Sequence, residues 1–330
     1  MNVVFKLFNN IKKFGFFDTF CYVLLKSDVL RQFPAKYLIK RADYYKNLPL
    51  AEQKKELGLF YKNAIGKEMD IENPKTFTEK IQWMKFNDST KRKADYSDKF
   101  LAPKLIEKEY GSRINIIPQL GVWDKAEDID FDVLPQKFVL KCNHGSAMNI
   151  IVKDKSKLDI AETRRKLNDW LKIDYAYVNG MYENHYTFID RKIIAEKFIE
   201  EMDGNLHDYK FHCFMGEPRF IEFIGDRVVN THVVHDSIYT IDWQLTDIHM
   251  NEDIPYEKGF EKPEKLDEMI TLAREMSKPY SYVRVDFYYI NGKIFFGELT
   301  FTPDSGCIKF NHPKTDAEWG EWIKLSAAAT

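Results

Sequence analysis

Apolar residues recur at helical spacing through residues 1–95, where Lys and Glu are abundant and prolines interrupt the pattern. We therefore predict a mostly helical N-terminal region. Within it, Thr76 precedes an apolar run and Glu79 follows three residues later, which is the spacing of a capping box at the start of a helix. A further helix is predicted over 97–109, ending near Gly111.

After Pro118 the pattern changes to short apolar runs separated by turn residues, which is typical of β-strands. Strands are predicted at 137–142, 149–152, 193–199, 208–215, 219–224, 282–290 and 293–299, with helices at 160–174 and 264–277. The dipeptide Asn291-Gly292 between the last two strands is a strong signal for a two-residue hairpin turn. Long antiparallel hairpins that alternate with helices favour an α+β fold over a series of parallel βαβ units.

Composition narrows the class of protein. The 330 residues are 44% hydrophobic and 30% charged, as in ordinary globular proteins. The formal net charge is −2 and no basic stripe is evident, so we expect no nucleic-acid partner. The four cysteines lie far apart without a CxxC pair, which argues against a zinc site and favours a reducing, cytoplasmic location. The sequence contains neither a GxGxxG dinucleotide fingerprint nor a P-loop.

Residues 1–25 mix apolar side chains with lysines, and Asp18 interrupts the longest apolar stretch. No small-residue cleavage site follows, and no run approaches the roughly 20 apolar residues that a transmembrane helix needs. Two interpretations stay open. The segment is an amphipathic helix that makes peripheral contact with the inner face of a membrane, or a helix that packs on the domain. We favour the second.

The last predicted hairpin carries the most informative polar residues. Because alternate side chains on a strand share a face, Arg284, Asp286 and Tyr288 point to one side. Glu298 and Thr300 share a face of the partner strand, so the hairpin can bring Asp286 close to Glu298. Two facing carboxylates repel each other unless a positive charge lies between them. That charge is either Mg²⁺, which takes one or two carboxylates plus substrate phosphates, or Arg284 in a structural ion pair.

Two further segments carry candidate chemistry. Lys141 precedes a small-residue loop at 143–146, whose backbone N–H groups can approach a phosphate, although the same residues also form ordinary turns. Glu196, with the backbone of Phe198 and Ile199, can recognise an adenine. The alternative is that this segment is simply a solvated strand edge.

Taken in chain order, these segments resemble one family, the TupA-like ATP-grasp proteins found with cell-surface polysaccharide synthesis. The matching stretches are 73–80, 97–99, 134–146, 194–196, 208–211, 284–286 and 296–303. The ordered set is far more specific than any single piece. The resemblance covers residues from about 70 to 325, whereas the chain before that matches only loosely.

The resemblance implies an ATP-grasp fold, in which two antiparallel-sheet subdomains clasp ATP. It divides the chain into a helical N-terminal region at 1–95, a segment before the ATP-grasp part at 96–135, a lid subdomain at 136–204 and a C-terminal subdomain with the metal site at 205–330.

The resemblance also assigns ligands by position. Phosphate contacts are assigned to Lys99, Lys141, Asn143, His144, Gly145, Ser146 and Lys210. Adenine contacts are assigned to Glu196, Phe198 and Ile199, and the ribose contact to Asp208. Mg²⁺ is assigned to Asp286, Glu298 and Thr300, and Arg284 would stabilise the transferring phosphoryl group. Thr300 stands where the wider superfamily commonly has Asn, so the number of metal ions stays open.

The implied activity is that of an ATP-dependent carboxylate–amine ligase with ATP and Mg²⁺ as cofactors. Its substrates would be a uronic-acid-containing saccharide, of capsular, O-antigen or teichuronic type, and an amino acid or another amine. Substrate contacts are expected in the N-terminal third and around 304–312. The alternatives are a sugar kinase, a glycosyltransferase or a non-catalytic nucleotide-binding partner, and the sequence does not indicate an oligomeric state.

Overall fold

The computed structural model describes residues 35–199, 206–225, 235–251 and 259–325. The segment at 1–25, predicted either to contact a membrane or to pack on the domain, lies outside these ranges. Inside them, no helix combines the length and the apolar content that crossing a membrane would require.

The N-terminal part of the described chain is helical, as predicted. Its helices are α1 (Ala35–Lys46), α2 (Leu50–Ile65), α3 (Phe77–Asn87), α4 (Lys91–Ser97) and α5 (Leu101–Tyr110). The predicted capping box is present at the start of α3. Thr76 Oγ1 accepts the backbone N–H of Glu79, and the Glu79 carboxylate accepts the backbone N–H of Thr76.

The prediction of a single helix over 97–109 is wrong, because helix α4 ends at Ser97 and a separate helix, α5, begins at Leu101. Asp98 explains the break. Its Oδ1 accepts the backbone N–H of Phe100 at 2.8 Å, a local hydrogen bond that favours a turn over a continuing helix. Lys99 therefore lies in a turn between two helices.

The first sheet, called here the lid sheet, has four antiparallel strands in the order β1-β4-β2-β3. Its strands are β1 (Gln119–Trp123), β2 (Phe138–Cys142), β3 (Asn149–Val152) and β4 (Ile193–Lys197). The hydrophobic pattern did not predict β1, since its five residues are all half-buried or exposed. Helix α6 (Ile160–Leu171) buries Leu167 against Phe138 and Leu140 of β2.

The second sheet, called here the core sheet, has five antiparallel strands in the order β7-β6-β5-β8-β9. Its strands are β5 (Asp208–Phe214), β6 (Glu217–Gly225), β7 (His235–Thr240), β8 (Tyr282–Ile290) and β9 (Lys293–Thr300). Asn291 and Gly292 form the predicted hairpin turn, both with positive φ, of 51° and 73°. Two antiparallel sheets with separate helices confirm the α+β prediction.

The two faces of β8 differ in the predicted way. Val283, Val285 and Phe287 are fully buried on one face, in a cluster that includes helix α7 (Leu266–Ser277). The opposite face carries Arg284 and Asp286.

The helix α8 (Pro313–Glu321) packs on α3 and closes an aromatic cluster of Phe77, Phe214, Tyr282 and Trp319. The apolar layers therefore fix the polar face of the core sheet in place.

Candidate active site

The polar face of the core sheet carries two rows of side chains that the antiparallel register aligns across strands β6, β5, β8 and β9. The first row consists of Glu222, Lys210, Asp286 and Glu298. The second row consists of His212, Arg284 and Thr300. Charges of opposite sign thus meet across the β6–β5 and β5–β8 pairs, whereas two carboxylates meet across β8–β9.

Arg284 is the centre of this arrangement. Its guanidinium donates to both carboxylate oxygens of Asp286, with Nε–Oδ1 at 2.9 Å and Nη2–Oδ2 at 2.7 Å. The same Nη2 lies 3.3 Å from Thr300 Oγ1 and 3.6 Å from Glu298 Oε1. One guanidinium group therefore faces both carboxylates of the hairpin, which is one of the two arrangements left open by the sequence.

Burial acts strongly on these groups. It raises the pKa of Asp286 to about 7, against the opposing attraction of the Arg284 guanidinium. Burial alone would also raise the pKa of Glu298, but nearby Lys99 and Arg284 outweigh it and lower that pKa. Glu298 is half-exposed, whereas Asp286 is buried. The two carboxylates therefore sit in different environments although they oppose each other on neighbouring strands.

Residue Gly297 lets these two strands approach closely. It is the extra residue of a β-bulge, since Asp286 pairs with Glu298 and Phe287 pairs with Phe296. A Cβ at position 297 would lie 2.8 Å from the backbone oxygen of Asp286. Any larger residue would push β9 away and move Glu298.

The donor set fits a hard cation. Asp286 and Glu298 offer carboxylate oxygens from adjacent strands, and the Thr300 hydroxyl offers a neutral oxygen, which are ligands that Mg²⁺ accepts. Thr300 Oγ1 donates to Glu298 Oε1 at 3.0 Å, so the hydroxyl orients that carboxylate. Among the described residues, no group of three or more His, Cys, Asp or Glu side chains is arranged to hold a metal.

Residues from both sheets line a narrow cavity of about 80 Å³. The lid sheet contributes Lys141 and Glu196, the core sheet contributes Tyr288 and Glu298, and Lys99 comes from the turn before α5. A larger cavity of about 1000 Å³ is lined by Phe198 and Ile199, and Ile116 lines both cavities. Of the residues assigned from the resemblance, Lys99, Lys141, Glu196 and Glu298 line the narrow cavity, and Phe198 and Ile199 line the larger one. Asp286, Thr300, Asp208, Lys210 and the loop at 143–146 line neither.

Ion pairs close the narrow cavity. Lys141 Nζ donates to Glu196 Oε2 at 2.5 Å across the lid sheet. Lys99 Nζ lies 3.9 Å from Glu298 Oε2, and its backbone N–H donates to the carbonyl of Asn143 at 3.2 Å. Lys99 therefore connects β9 to the first residue of the loop at 143–147, called here the lid loop. A volume of about 80 Å³ holds only a few water molecules, so a triphosphate would have to displace these pairs.

The side chains of Asn143 and His144 do not face a phosphate position, contrary to their assignment from the resemblance. Asn143 is fully buried, donates to Asp98 Oδ1 at 2.8 Å and to the Asp190 carbonyl at 2.9 Å, and accepts the N–H of Lys192 at 2.7 Å. Burial lowers the pKa of His144 to about 4, and its Nε2 lies 3.2 Å from the Ile173 carbonyl. These side chains anchor the loop instead.

The tip of the same loop is tightly packed. Gly145 lies against the Tyr175 ring, which a Cβ would approach to 2.7 Å, and the next residue is Ser146, which is exposed. Ala147 after it has a φ of 58°, a strained value for a residue with a side chain. The groups of the loop that can contact a phosphate are therefore the backbone N–H groups around 145–147 and the Ser146 hydroxyl.

Asp208 and Lys210 lie at the start of β5, on the same face as Asp286 by alternation along the strand. Lys210 Nζ donates to Glu222 Oε1 at 2.6 Å, and both side chains are largely buried. Strand β4 ends at Lys197, so Phe198 and Ile199 lie beyond it. The strand predicted over 193–199 is therefore two residues too long.

Comparison with known protein families gives a direct result. A family model described as TupA-like ATPgrasp matches residues 79–324 of this chain, which is more than half of its length. The chain belongs to the TupA-like ATP-grasp family. The resemblance drawn from the sequence motifs and the predicted ATP-grasp fold are thereby confirmed.

Comparison with curated proteins found no match. Among solved structures, D-alanine–D-alanine ligase from Bacillus anthracis in complex with ATP is 18% identical, with a TM-score of 0.39; the match covers 63% of this chain and 55% of that chain. L-amino acid ligase from Bacillus licheniformis is 14% identical, with a TM-score of 0.40, over 88% of this chain and 55% of that chain. The present chain spans about half the length of these two structures.

Sequence reasoning missed Glu222 and His212 in this ATP-grasp chain. His212 Nε2 lies 3.1 Å from Glu222 Oε2, and its Nδ1 lies 2.8 Å from the Tyr282 hydroxyl. The available signal was a lone acidic residue, Glu222, within an otherwise apolar strand run at 220–224. A buried acid in such a run is expected to have a cationic partner.

A second missed cluster lies behind the hairpin, where helix α3 meets the loop after β9. Lys85 is buried, and its Nζ donates to the carbonyls of Met181 and Ser305, both at 2.8 Å. Nearby, the Thr302 hydroxyl donates to the buried carboxylate of Glu183. Lys85 therefore ties helix α3 both to the segment before β4 and to the loop after β9.

Proposed function

We propose that this protein is an ATP-dependent ligase that joins a carboxylate to an amine. The observation that carries the proposal is the narrow cavity that Lys99, Lys141 and Glu298 all line, with Asp286 paired to Glu298 across the β8–β9 hairpin. Cations from two separate segments converge there with a carboxylate pair that fits Mg²⁺. Such convergence suits the binding and transfer of a phosphoryl group.

The proposed reaction has two steps. First, an oxygen of the substrate carboxylate attacks the γ-phosphorus of ATP, so that an acyl–oxygen–phosphorus bond forms and ADP leaves. Second, the amine nitrogen attacks the acyl carbon, phosphate leaves, the amide forms and the nitrogen releases a proton. Magnesium held by Asp286 and Glu298 would neutralise charge on the phosphate oxygens. No side-chain nucleophile is needed.

The protein's own cations orient the reacting groups. Lys141 and Lys99 would exchange their present carboxylate partners for phosphate oxygens, and Arg284 would stabilise charge as the phosphoryl group transfers. The larger cavity, lined by Phe198 and Ile199, would take the adenine. The loop tip around Gly145 would close over the phosphates and exclude the water that hydrolyses an acyl phosphate.

We further propose that the substrates belong to cell-surface polysaccharide synthesis, with a uronic acid as carboxylate donor and an amino acid as amine. The family resemblance supports this choice, and the carboxylate chemistry agrees with it. Because the reaction consumes ATP, we place it in the cytoplasm.

Phosphate release tests the proposal directly. The protein is incubated with ATP, Mg²⁺ and panels of uronic acids and amino acids, and ADP, phosphate and coupled product are measured. A ligase releases ADP and phosphate only when both a carboxylate and an amine are present. The Asp286→Asn variant, purified in the same way, provides the baseline for contaminating ATPase activity.

Other outcomes would overturn the proposal. Phosphate that remains on a sugar would indicate a kinase. Turnover that needs a nucleotide sugar and ignores ATP would indicate a glycosyltransferase. Tight ATP binding without turnover across the panels would indicate a non-catalytic nucleotide-binding partner.

A further inference from the structure

Glu222 lies on β6, next to strand β5, which carries Lys210, and on the far side of β5 from Asp286 on β8. It is buried on β6, and it contacts three side chains of the site: Lys210 at 2.6 Å, His212 at 3.1 Å and Arg284 Nη1 at 3.8 Å. Burial alone would raise its pKa, but Lys210 and Arg284 hold the pKa of Glu222 well below its usual range. Glu222 is therefore a buried carboxylate whose charge is balanced by Lys210 and Arg284.

Arg284 lies between two anions. On one side, its Nε and Nη2 bind Asp286 at 2.9 and 2.7 Å, and on the other side its Nη1 faces Glu222. The contact with Asp286 occupies both carboxylate oxygens that a cation would need. A cation held by Asp286 and Glu298 must therefore compete with this guanidinium, and a buried guanidinium needs another anion when it is displaced.

We propose that Glu222 is a positioning residue that accepts Arg284 when a divalent cation and a nucleotide bind. This inference rests on the proposed function. In this exchange, Lys210 leaves Glu222 Oε1 for a phosphate oxygen, and Arg284 closes its 3.8 Å separation from Glu222. Asp286 is then released to the cation. Glu222 acts through Arg284 and touches neither the nucleotide nor the metal.

The surroundings of Glu222 favour this exchange. The hydroxyl of Tyr282 lies 2.8 Å from His212 Nδ1, and His212 Nε2 lies 3.1 Å from Glu222 Oε2. Burial lowers the pKa of His212, so the ring is neutral. Its Nδ1 can then accept a hydrogen bond from the Tyr282 hydroxyl while its Nε2–H donates to Glu222. Two hydrogen bonds in series therefore hold the Glu222 carboxylate in place while its cationic partners change.

The test is calorimetric binding of a non-hydrolysable ATP analogue, with and without Mg²⁺, to the full chain. The measured quantity is the factor by which Mg²⁺ tightens binding. For Glu222→Gln, which keeps the shape and removes the charge, we expect that factor to fall by about tenfold relative to the wild type. Binding without Mg²⁺ should be unchanged or tighter, because Lys210 is then free to meet a phosphate.

A second pair of variants guards against a folding defect in Glu222→Gln. Lys210→Met removes the competing cation, so Glu222 faces Arg284 alone and the Mg²⁺ factor should equal or exceed that of the wild type. The double variant Lys210→Met with Glu222→Gln removes the pair together and leaves no unpaired charge between them; here the factor should fall. Glu222→Asp, which keeps the charge, should recover most of the wild-type factor.

The outcomes separate this inference from the proposed function. If the wild type shows no Mg²⁺-dependent nucleotide binding, the proposed function fails. If the wild type shows it and the Glu222→Gln and double variants keep the full Mg²⁺ factor, the exchange is overturned and the proposed function stands. An equal loss of binding with and without Mg²⁺ would also overturn it, because that result indicates a purely structural role.

Discussion

The two sheets offer very different surfaces to the space between them. The lid sheet presents one charged pair, Lys141 with Glu196, and its loop is anchored by the buried Asn143. The core sheet presents a continuous charged network across four strands, with Arg284 at its centre. The comparison indicates that the charges of the core sheet can exchange partners only together, as a network, whereas the lid sheet supplies a single cation that exchanges its partner alone.

The difference has a physical basis in burial. The core-sheet charges are largely buried with several partners each, so one of them can move only when another charge replaces it as a partner. Lys141 is partly exposed at the cavity and has one carboxylate partner in the structure. Glu196 is buried, so the exchange requires another donor for its carboxylate, which under the proposed function is the exocyclic amine of the adenine.

The largest effect is expected where the core-sheet network loses a metal ligand. Asp286→Asn should reduce turnover by at least about a thousandfold, since the carboxylate pair can no longer hold the cation that neutralises the phosphate charge. Glu298→Gln should do the same. The measurement is ADP release under saturating substrates, with thermal unfolding as the control for the fold. Wild-type rates in either variant would remove the metal site.

A smaller effect is expected at the lid sheet. Lys141→Met should raise the KM for ATP by about ten- to a hundredfold, because one charge-assisted contact to phosphate is lost while the core sheet stays intact. Initial rates at varied ATP concentration measure it. Lys172→Met, at an exposed lysine beyond the end of α6, is the matched control and should leave the KM unchanged. Equal KM values for the two variants would contradict the assignment of Lys141.

The anchor of the lid loop should affect stability. Asn143→Ala removes three hydrogen bonds from a fully buried side chain and leaves the Asp190 carbonyl and the Lys192 N–H without their partner. We expect the free energy of unfolding to fall by about 2–4 kcal/mol in urea denaturation. A loss below about 0.5 kcal/mol would show that the loop is held by other contacts.

The smallest effect is expected on the outer surface of the lid subdomain. Arg165 pairs with Glu162 and Asp169 on the exposed face of α6, where water screens the charges. Arg165→Ala should leave the midpoint of urea unfolding unchanged within experimental error. A clear shift of that midpoint to lower urea would mean that the exposed ion pairs of α6 stabilise the fold more than the comparison of the two sheets implies.

Local signals explain why much of the fold was predictable. The Asn291-Gly292 turn is such a signal, because it fixes the β8–β9 register from Ile290 and Lys293 up to Phe287 and Phe296. That register alone would place Gly297 opposite Asp286, and only the bulge at Gly297 brings Glu298 into that position. The capping box at Thr76 likewise depends on residues close in sequence. The break at Asp98 was missed because one side-chain hydrogen bond overrides a helical apolar pattern.

The rest of the site depends on contacts between residues distant in sequence. The side chain of Asn143 binds Asp98 and the backbone near 190–192, so its orientation away from the cavity could not be read from the loop sequence. Glu222 on β6 lies near Arg284 on β8 because these two strands flank β5 in the sheet. Such placements follow from strand order, which hydrophobic patterns do not specify.

The most direct test of the account is a crystal structure of the protein with a non-hydrolysable ATP analogue and Mg²⁺. The account predicts density for the cation between the carboxylates of residues 286 and 298, with the triphosphate contacting Lys141 and the base beside Phe198. A nucleotide bound elsewhere, or a triphosphate bound while Arg284 still holds both oxygens of Asp286 and no cation lies there, would contradict it.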